Sequence, residues 1–288
     1  MKNILILKSS KASYDDSLAE ALNSYKNEDT RITWKYFDQV TFELVDGAIS
    51  VDVDGLDIKT FNFVYFKIWQ KNYLIANALS LVLDHLGINF IDERVRNTHS
   101  NNKLKQMVLF SLNKLQIPNT IFPSIQNRTF AYLEEKLGSP FIMKDASGAE
   151  GRNNFLVNTE LEFESIYSAN TKVHFIYQKF IENTGDFRFG VIGDKVCYIK
   201  NRIRKDDNTH LNNLSEGASV EYKTISEYEF YNNLSIRVAE LLKLNIAGVD
   251  LIINEDGKYY ILEVNASPAF KNDPSTIKHV INYIESLI

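Results

Sequence analysis

"GVDLIINEDGKYYILEVNASPAF", residues 248–270, decides the fold. Asp256-Gly257 separates two runs of alternating apolar residues. Such a pair favours a two-residue hairpin loop, because a type I′ turn needs positive φ at both central positions. With those residues as the loop, Glu255 faces Lys258, Ile253 faces Tyr260, Leu251 faces Leu262, and Asp250 lies opposite Glu263. Asn265 follows Glu263 on the same face, since strand side chains alternate. Two carboxylates about 5 Å apart, at an effective dielectric near 20, repel by roughly 3 kcal/mol. The arrangement calls for a positive charge between them. It predicts that Asp250→Asn stabilises the free protein by removing the repulsion. Asp250, Glu263 and Asn265 together offer oxygen donors on one face, the chemistry that suits Mg²⁺. A half-exposed hairpin with its acids in water is the ordinary alternative.

The chain has 288 residues, 44% of them hydrophobic, enough for one elaborate α/β unit or about two domains. A net charge of −5 argues against a nucleic-acid binder, whose affinity rests on neutralising phosphates. The single cysteine, Cys197, excludes an intrachain disulfide and a multi-cysteine metal cluster, and suits a reducing compartment. "MKNILILKSS" (1–10) lacks a small-residue cleavage site and reads as a first strand. With no apolar run of about 18 residues to span a membrane, the cytoplasm is the expected location.

Outward from the hairpin, strands alternate with helices, which implies a mostly parallel sheet covered on both faces in the first unit. Strands are expected at 3–7, 32–37, 42–55 (with a hairpin at Asp46-Gly47), 61–68 and 88–92, and helices at 15–25 and 73–87. A polar loop at 97 opens a second unit. It has helices within 97–117, at 129–137 and near 160–168, and extended segments within 139–158 and 173–181. Strands within 186–205 turn at Gly193-Asp194. The polar stretch 206–219 has no periodicity, and helices at 226–244 and 274–288 flank the hairpin.

Several residues outside the hairpin could carry chemistry. Lys144 ends the apolar strand "PFIMK", and the loop after it contains Gly148 and Gly151, a setting in which an ammonium and backbone N–H groups can close over phosphate. The loop matches no Walker pattern, and a solvated edge lysine is the plain alternative. Lys103 opens an amphipathic helix, where an anion rather than a cation is favoured; an anionic ligand there would reconcile the two, and an exposed charge is the alternative. Asp186 and Arg188 share one strand face, which surface pairing also explains. Arg202 and Arg204 share another face, either a fork for phosphate or carboxylate or a solvated basic edge.

In this order, Lys103, Lys144 with its small-residue loop, "YQKFI" (177–181), "GDFRFGVIGDKV" (185–196), "AGVDLI" (247–252) and "LEVNASP" (262–268) resemble the ATP-grasp superfamily, and within it RimK-like carboxylate–amine ligases. The resemblance runs from about 97 to 275. It implies an α/β ATP-grasp fold of two lobes clamping ATP, preceded by a smaller α/β domain. The expected divisions are 1–97 for that domain, 98–184 for the central lobe with lid and hinge, and 185–288 for the C-terminal lobe with the metal site. By the same resemblance Lys103 and Lys144 contact phosphates, and the lid includes Ser147, Gly148 and Gly151 and runs to Arg152. Gln178, Lys179, Phe180 and Ile181 form the adenine-reading hinge, with Asp186 near the ribose. Asp250, Glu263 and Asn265 hold two Mg²⁺ ions, with Mn²⁺ as a substitute. Asn213 lies near metal and phosphate, and Arg202 or Arg204 steadies the γ-phosphate or an acyl phosphate. Lys179 stands where relatives often have Glu, Leu211 where they often have Arg, and the lid has fewer glycines than usual.

The implied activity is an ADP-forming ligase joining a carboxylate to an amine through an acyl phosphate, on an amino acid, peptide or protein. Neither nucleic acid nor membrane is an expected partner, and a dimer or tetramer is compatible. A peptide macrocyclase on the same fold is the alternative within the class. A nucleotide-binding regulatory module without turnover is the alternative outside it, and the retained lysines and acids speak against that.

Overall fold

The structure, a computed structural model, describes residues 2–9, 29–45, 48–96, 102–148, 151–204, 218–266, 268 and 274–287. The N-terminal apolar run forms β1 (Lys2–Lys8), parallel to β2 (Thr30–Tyr36). An antiparallel ribbon follows, made of β3 (Val40–Val45), β4 (Ala48–Val53) and β5 (Leu56–Asp57). Val45 pairs with Ala48, consistent with a two-residue connection, although Asp46-Gly47 and the expected helix at 15–25 lie outside the described residues. β6 (Phe63–Lys67) returns to the free side of β1, and α1 (Tyr73–Leu86) crosses one face, ending on left-handed Gly87. β7 (Asn89–Ile91) completes the parallel order β2-β1-β6-β7.

Both faces of this sheet are buried, as its unbroken apolar runs require. Leu5 and Leu7 pack with Ala76, Leu79 and Leu83 of α1, whereas Ile4 and Ile6 face the C-terminal helix.

Next comes α2 (Lys103–Leu112), whose N-cap Asn102 accepts hydrogen bonds from the N–H groups of Leu104 and Lys105. β8 (Thr120–Ile121), α3 (Phe130–Leu137), β9 (Phe141–Asp145), β10 (Asn154–Val157), α4 (Glu160–Ala169) and β11 (Phe175–Lys179) build an antiparallel sheet of order β10-β9-β11-β8. Its own aromatic core includes Phe130, Phe141, Phe163 and Tyr177. Met107 and Phe110 of α2 instead enter the core of the sheet that follows.

That sheet contains β12 (Gly185–Ile192), β13 (Lys195–Ile203), β14 (Ser219–Lys223), β15 (Ile246–Ile253) and β16 (Tyr259–Asn265), in the order β14-β13-β12-β15-β16. α5 (Glu229–Leu241) packs on one face through Leu234 and Val238. α6 (Pro274–Ser286) bridges Ile192 and Ile246 to Ile4 and Ile6 of β1. Alternation sends Phe187, Phe189, Val249 and Leu251 into the core, which leaves Asp186, Arg188 and Asp250 on the opposite face.

The hairpin keeps the expected facing of Asp250 and Glu263 but reaches it by another route. The loop holds three residues, 255–257: Asn254 N–H donates to Lys258 O, and Gly257, at φ +76°, donates to Asn254 O. Ile253 therefore pairs with Tyr259 and Leu251 with Ile261, one residue off the two-residue register. A β-bulge at Leu262 restores the phase. Ile261 and Val264 both enter the core, so the consecutive residues Leu262 and Glu263 both face outward.

Candidate active site

Between the small antiparallel sheet and the five-stranded sheet lies an open cleft. Its apolar walls are Ile142 from β9 and Ile252 and Leu262 from β15 and β16, with Phe180 and Ile181 beside them. Facing walls of this kind make a slot for a flat ring.

Lys144, on β9 between Asn154 and Ile176, lines the cleft. Burial pushes its ammonium below the ordinary lysine range; Glu263 across the cleft opposes this, and neighbouring Lys103 adds to it. Lys103, Lys144 and Arg152 line the same cleft, and three cations with a glycine-bearing turn of chain fit an anion such as phosphate. Lys103, the first residue of α2, donates from Nζ to Gly148 O and lies 3.6 Å from Glu263 Oε2. Its own N–H donates to Ala146 O, so the helix start is tied to the end of β9.

After β9, Gly148, Gly151 and Arg152 line the cleft. Ser147 is exposed and donates its N–H to Asp145 Oδ1, and residues 149–150 lie outside the described residues. A Cβ at Gly148 would sit 2.9 Å from that of Asp145, which explains a glycine there. Gln178 is buried and donates to Thr120 Oγ1 at 2.9 Å. Lys179 is exposed, with its N–H given to Asn119 O. Both line the cleft with Phe180 and Ile181.

The floor carries a buried ionic quartet. Arg188 clasps Asp250 with two bonds of 2.7 Å. Arg202 clasps Asp186 at 2.6 and 2.7 Å and reaches Asp250 Oδ2 at 3.0 Å. Sequence order suggested Asp186 pairing with Arg188, but each acid chose the residue opposite on the neighbouring strand: Arg188 faces Asp250, and Asp186 faces Arg202. Burial would raise the Asp250 carboxyl, but Arg188 and Arg202 outweigh it and hold it below the usual range. Burial pushes Asp186 up to about 6 in spite of Arg202, with Asp250 adding to the effect.

Asn265 Nδ2 lies 3.1 Å from Glu263 Oε1 and 3.4 Å from Asp250 Oδ2, so all three side chains converge. Turned over, that carboxamide presents Oδ1 instead, since amide orientation is assigned from the hydrogen-bond network. Among the described residues no group of three His, Cys, Asp or Glu side chains stands ready for a metal ion. The donor set here is two carboxylates and a carboxamide. It fits one hard cation through Glu263, Asn265 and the remaining lone pairs of Asp250.

Arg204 does not join Arg202. It lies beyond the end of β13 and donates from Nη2 to the carbonyl and side-chain oxygens of Asn183, facing a second cleft. Asn213 and Leu211 lie outside the described residues. Sequence reasoning passed over Arg188 as the partner of Asp250, Gln106, and Leu262 as a wall. Arg188 was visible as the residue two along from Asp186. Leu262 was hidden by the bulge.

A family model described as a RimK-like ATP-grasp domain matches residues 100–287. The chain belongs to the RimK-like ATP-grasp family. It is an ATP-binding ligase of the carboxylate–amine class. A probable alpha-L-glutamate ligase of Sodalis glossinidius is 29% identical over 248 residues, 83% of this chain and 82% of that protein. ATP-grasp ligase PsnB, solved with a phosphomimetic variant of its minimal precursor, Mg and ADP, superposes with a TM-score of 0.73 at 17% identity, covering 100% of this chain and 99% of that one. Macrocyclase MdnC from Microcystis aeruginosa, bound with precursor peptide MdnA, gives a TM-score of 0.71 at 15% identity over 99% of each chain. Identities this low speak to the fold of the RimK-like chain. Among its described residues no helix is long and apolar enough to cross a membrane.

Proposed function

We propose that this chain joins a carboxylate to an amine at the expense of ATP, through an acyl phosphate, on an amino acid or peptide substrate. The observation that carries the reading is Lys144, a desolvated ammonium facing Glu263 and the Asp250–Asp186 floor across the cleft. A cation-rich roof and a carboxylate-bearing floor suit a polyphosphate held through a metal ion.

In this reading the slot of Ile142, Ile252 and Leu262 takes the adenine, with hinge residues 178–181 at its edge. Lys103, Lys144, Gly148, Gly151 and Arg152 take the phosphates. Glu263, Asn265 and Asp250 hold Mg²⁺, which supplies charge neutralisation on the terminal phosphates. A substrate carboxylate oxygen attacks the γ-phosphorus and the bond to the β–γ bridging oxygen breaks, releasing ADP. An amine nitrogen then attacks the acyl carbon, phosphate leaves, and the nitrogen loses a proton to give the amide. Arg188 and Arg202 stand where charge builds on the transferred group, and no protein nucleophile is needed. The precursors bound by PsnB and MdnC, and the relatives named glutamate ligases, make peptides worthwhile substrates to screen beside glutamate.

Chromatography of the nucleotide products tests this. With a carboxylate–amine library, ADP and phosphate are expected, and hydroxylamine traps a hydroxamate. AMP with pyrophosphate as the dominant products would overturn the mechanism.

A further inference from the structure

Three runs of sequence around the site carry a small or rigid residue that the ligase reading leaves without a task. They are Gly190 in "GDFRFGVIGDKV", Gly248 in "AGVDLI" and Pro268 in "LEVNASP". The fold brings all three to one place. Gly190 and Gly248 are register partners on β12 and β15, and the next pair on the same face is Arg188 with Asp250. Both glycines are buried and neither has a positive φ, so backbone conformation does not demand them. A glycine inside a strand costs stability and marks a close approach by other atoms. Here the approaching atoms are plain. A Cβ on Gly190 would enter the ring of Tyr198, its partner on β13. A Cβ on Gly248 would lie 2.8 Å from Cβ of Pro268, 3.3 Å from Cδ of Arg188 and 3.5 Å from its Nε. The Arg188 stem therefore crosses from its own strand onto the next through the space Gly248 leaves empty. Pro268, buried and stiff in its ring, shares that notch.

The head on that stem gives the notch its meaning. Arg188 donates to both oxygens of Asp250, from Nε to Oδ1 and from Nη2 to Oδ2, each at 2.7 Å. Arg202 at 3.0 Å and Asn265 at 3.4 Å reach Oδ2 only. Contacts to a single oxygen let a carboxylate turn about its Cβ–Cγ bond, whereas a fork on both oxygens fixes it. Arg188 thus sets which lone pairs Asp250 turns toward Glu263 and Asn265.

We propose that Arg188 is the positioning residue for Asp250, and that Gly248 and Pro268 form the cradle that aims it, with Gly190 making room for Tyr198 alongside. The proposal rests on the ligase reading above, in which Asp250 helps to hold Mg²⁺. Arg188 acts in it through Asp250. The cradle acts through Arg188.

Calorimetry of ADP on the full chain, with and without Mg²⁺, tests this. The ratio of the two affinities measures what the cation contributes. Charge-conserving variants isolate orientation from field. Arg188→Lys, whose single ammonium cannot fork, should lower the ratio by about ten- to a hundredfold. Gly248→Ala should lower it in the same sense and leave the Mg²⁺-free affinity unchanged. Added to Arg188→Lys, Gly248→Ala should change the ratio by less than about twofold further, because both act through one side chain. A folded Gly248→Ala that melts lower but keeps the wild-type ratio would reduce the notch to packing and overturn the cradle. Effects of the two substitutions that simply multiply would do the same. A wild-type ratio in Arg188→Lys would remove Arg188 as the positioning residue. Where Gly248→Ala does not fold, Pro268→Ala, which opens the notch without filling it, takes its place with the same expected loss. Absence of ADP binding, or of any Mg²⁺ effect in the wild type, would sink the ligase reading itself.

Discussion

The carboxamide of Gln106 takes the place of a neighbouring strand beside Val264. It donates from Nε2 to the Val264 carbonyl at 3.0 Å and accepts the Val264 N–H at Oε1 at 2.9 Å. β16 is an edge strand, and this bond pair closes its open side at a buried residue. It also fixes α2, which carries Lys103, against the strand that carries Glu263. Gln106→Leu fills the space but leaves two buried backbone groups unpaired, a cost on the order of 3 kcal/mol. Urea unfolding should show a lower midpoint, with a rise in KM for ATP in the folded fraction. An unchanged midpoint would show that the bond pair contributes nothing.

Asp250→Asn should weaken the free protein, not strengthen it. The sequence pointed to repulsion between Asp250 and Glu263, but the structure sets Arg188 and Arg202 on Asp250 and Lys103 near Glu263. Removing the carboxylate strands the Arg188 guanidinium and takes one contact from Arg202, which keeps Asp186, and breaking a buried pair from one side costs about 3–5 kcal/mol. A thermal melt without nucleotide decides it; a higher melting temperature would restore the repulsion account.

Lys144→Met should act in opposite senses on the free and bound forms. A lysine whose pKa is lowered by folding costs stability below that lowered value, a cost that fades as pH rises through it toward the unfolded value near 10.5. The variant should therefore melt higher without ligand at neutral pH, yet bind Mg·ATP about ten- to a hundredfold more weakly, for loss of a charge-assisted bond of roughly 1.5–3 kcal/mol. Calorimetry and melts together test both halves. Undiminished nucleotide affinity would remove Lys144 from the site.

Asp186 and Asp250 should titrate far apart. Carboxyl carbon resonances should show Asp186 with a midpoint of about 6 and Asp250 below the ordinary 3.8. Because Asp186 is raised on folding, its contribution to stability declines as pH climbs from about 4 to 6. Asp250, being lowered, loses its contribution only as pH falls through its own folded value. Arg202→Lys, which gives up the forked contact, should move Asp186 further upward. A common midpoint for both acids would contradict the geometry.

The alternating runs, the glycine-led turns and the sequence order of lysines and acids made the sheet pattern and the convergence of Lys144, Asp250 and Glu263 readable. What stayed hidden depends on contacts between distant segments. Gln106 looks like any polar helix residue until Val264 lies beside it, and the partners of Asp186 and Arg188 are set by strand neighbours 16 and 62 residues away. The short strands β8 and β14 carry too few residues for periodicity to register. Lys8 reads as the polar end of an apolar strand, and its burial follows only from how β2 and β6 flank it.

The bulge at Leu262 changes how much recognition a short strand can encode. An ordinary strand offers a ligand every second side chain, but here two consecutive residues reach the cleft, one apolar and one acidic. Deleting Leu262 would leave Ile261 beside Glu263 in plain alternation, with the acid still opposite Asp250 and the slot short of one wall. On the proposed reading, base preference and phosphate handling are thus separable by a single codon, and a lineage could relax one without rebuilding the other.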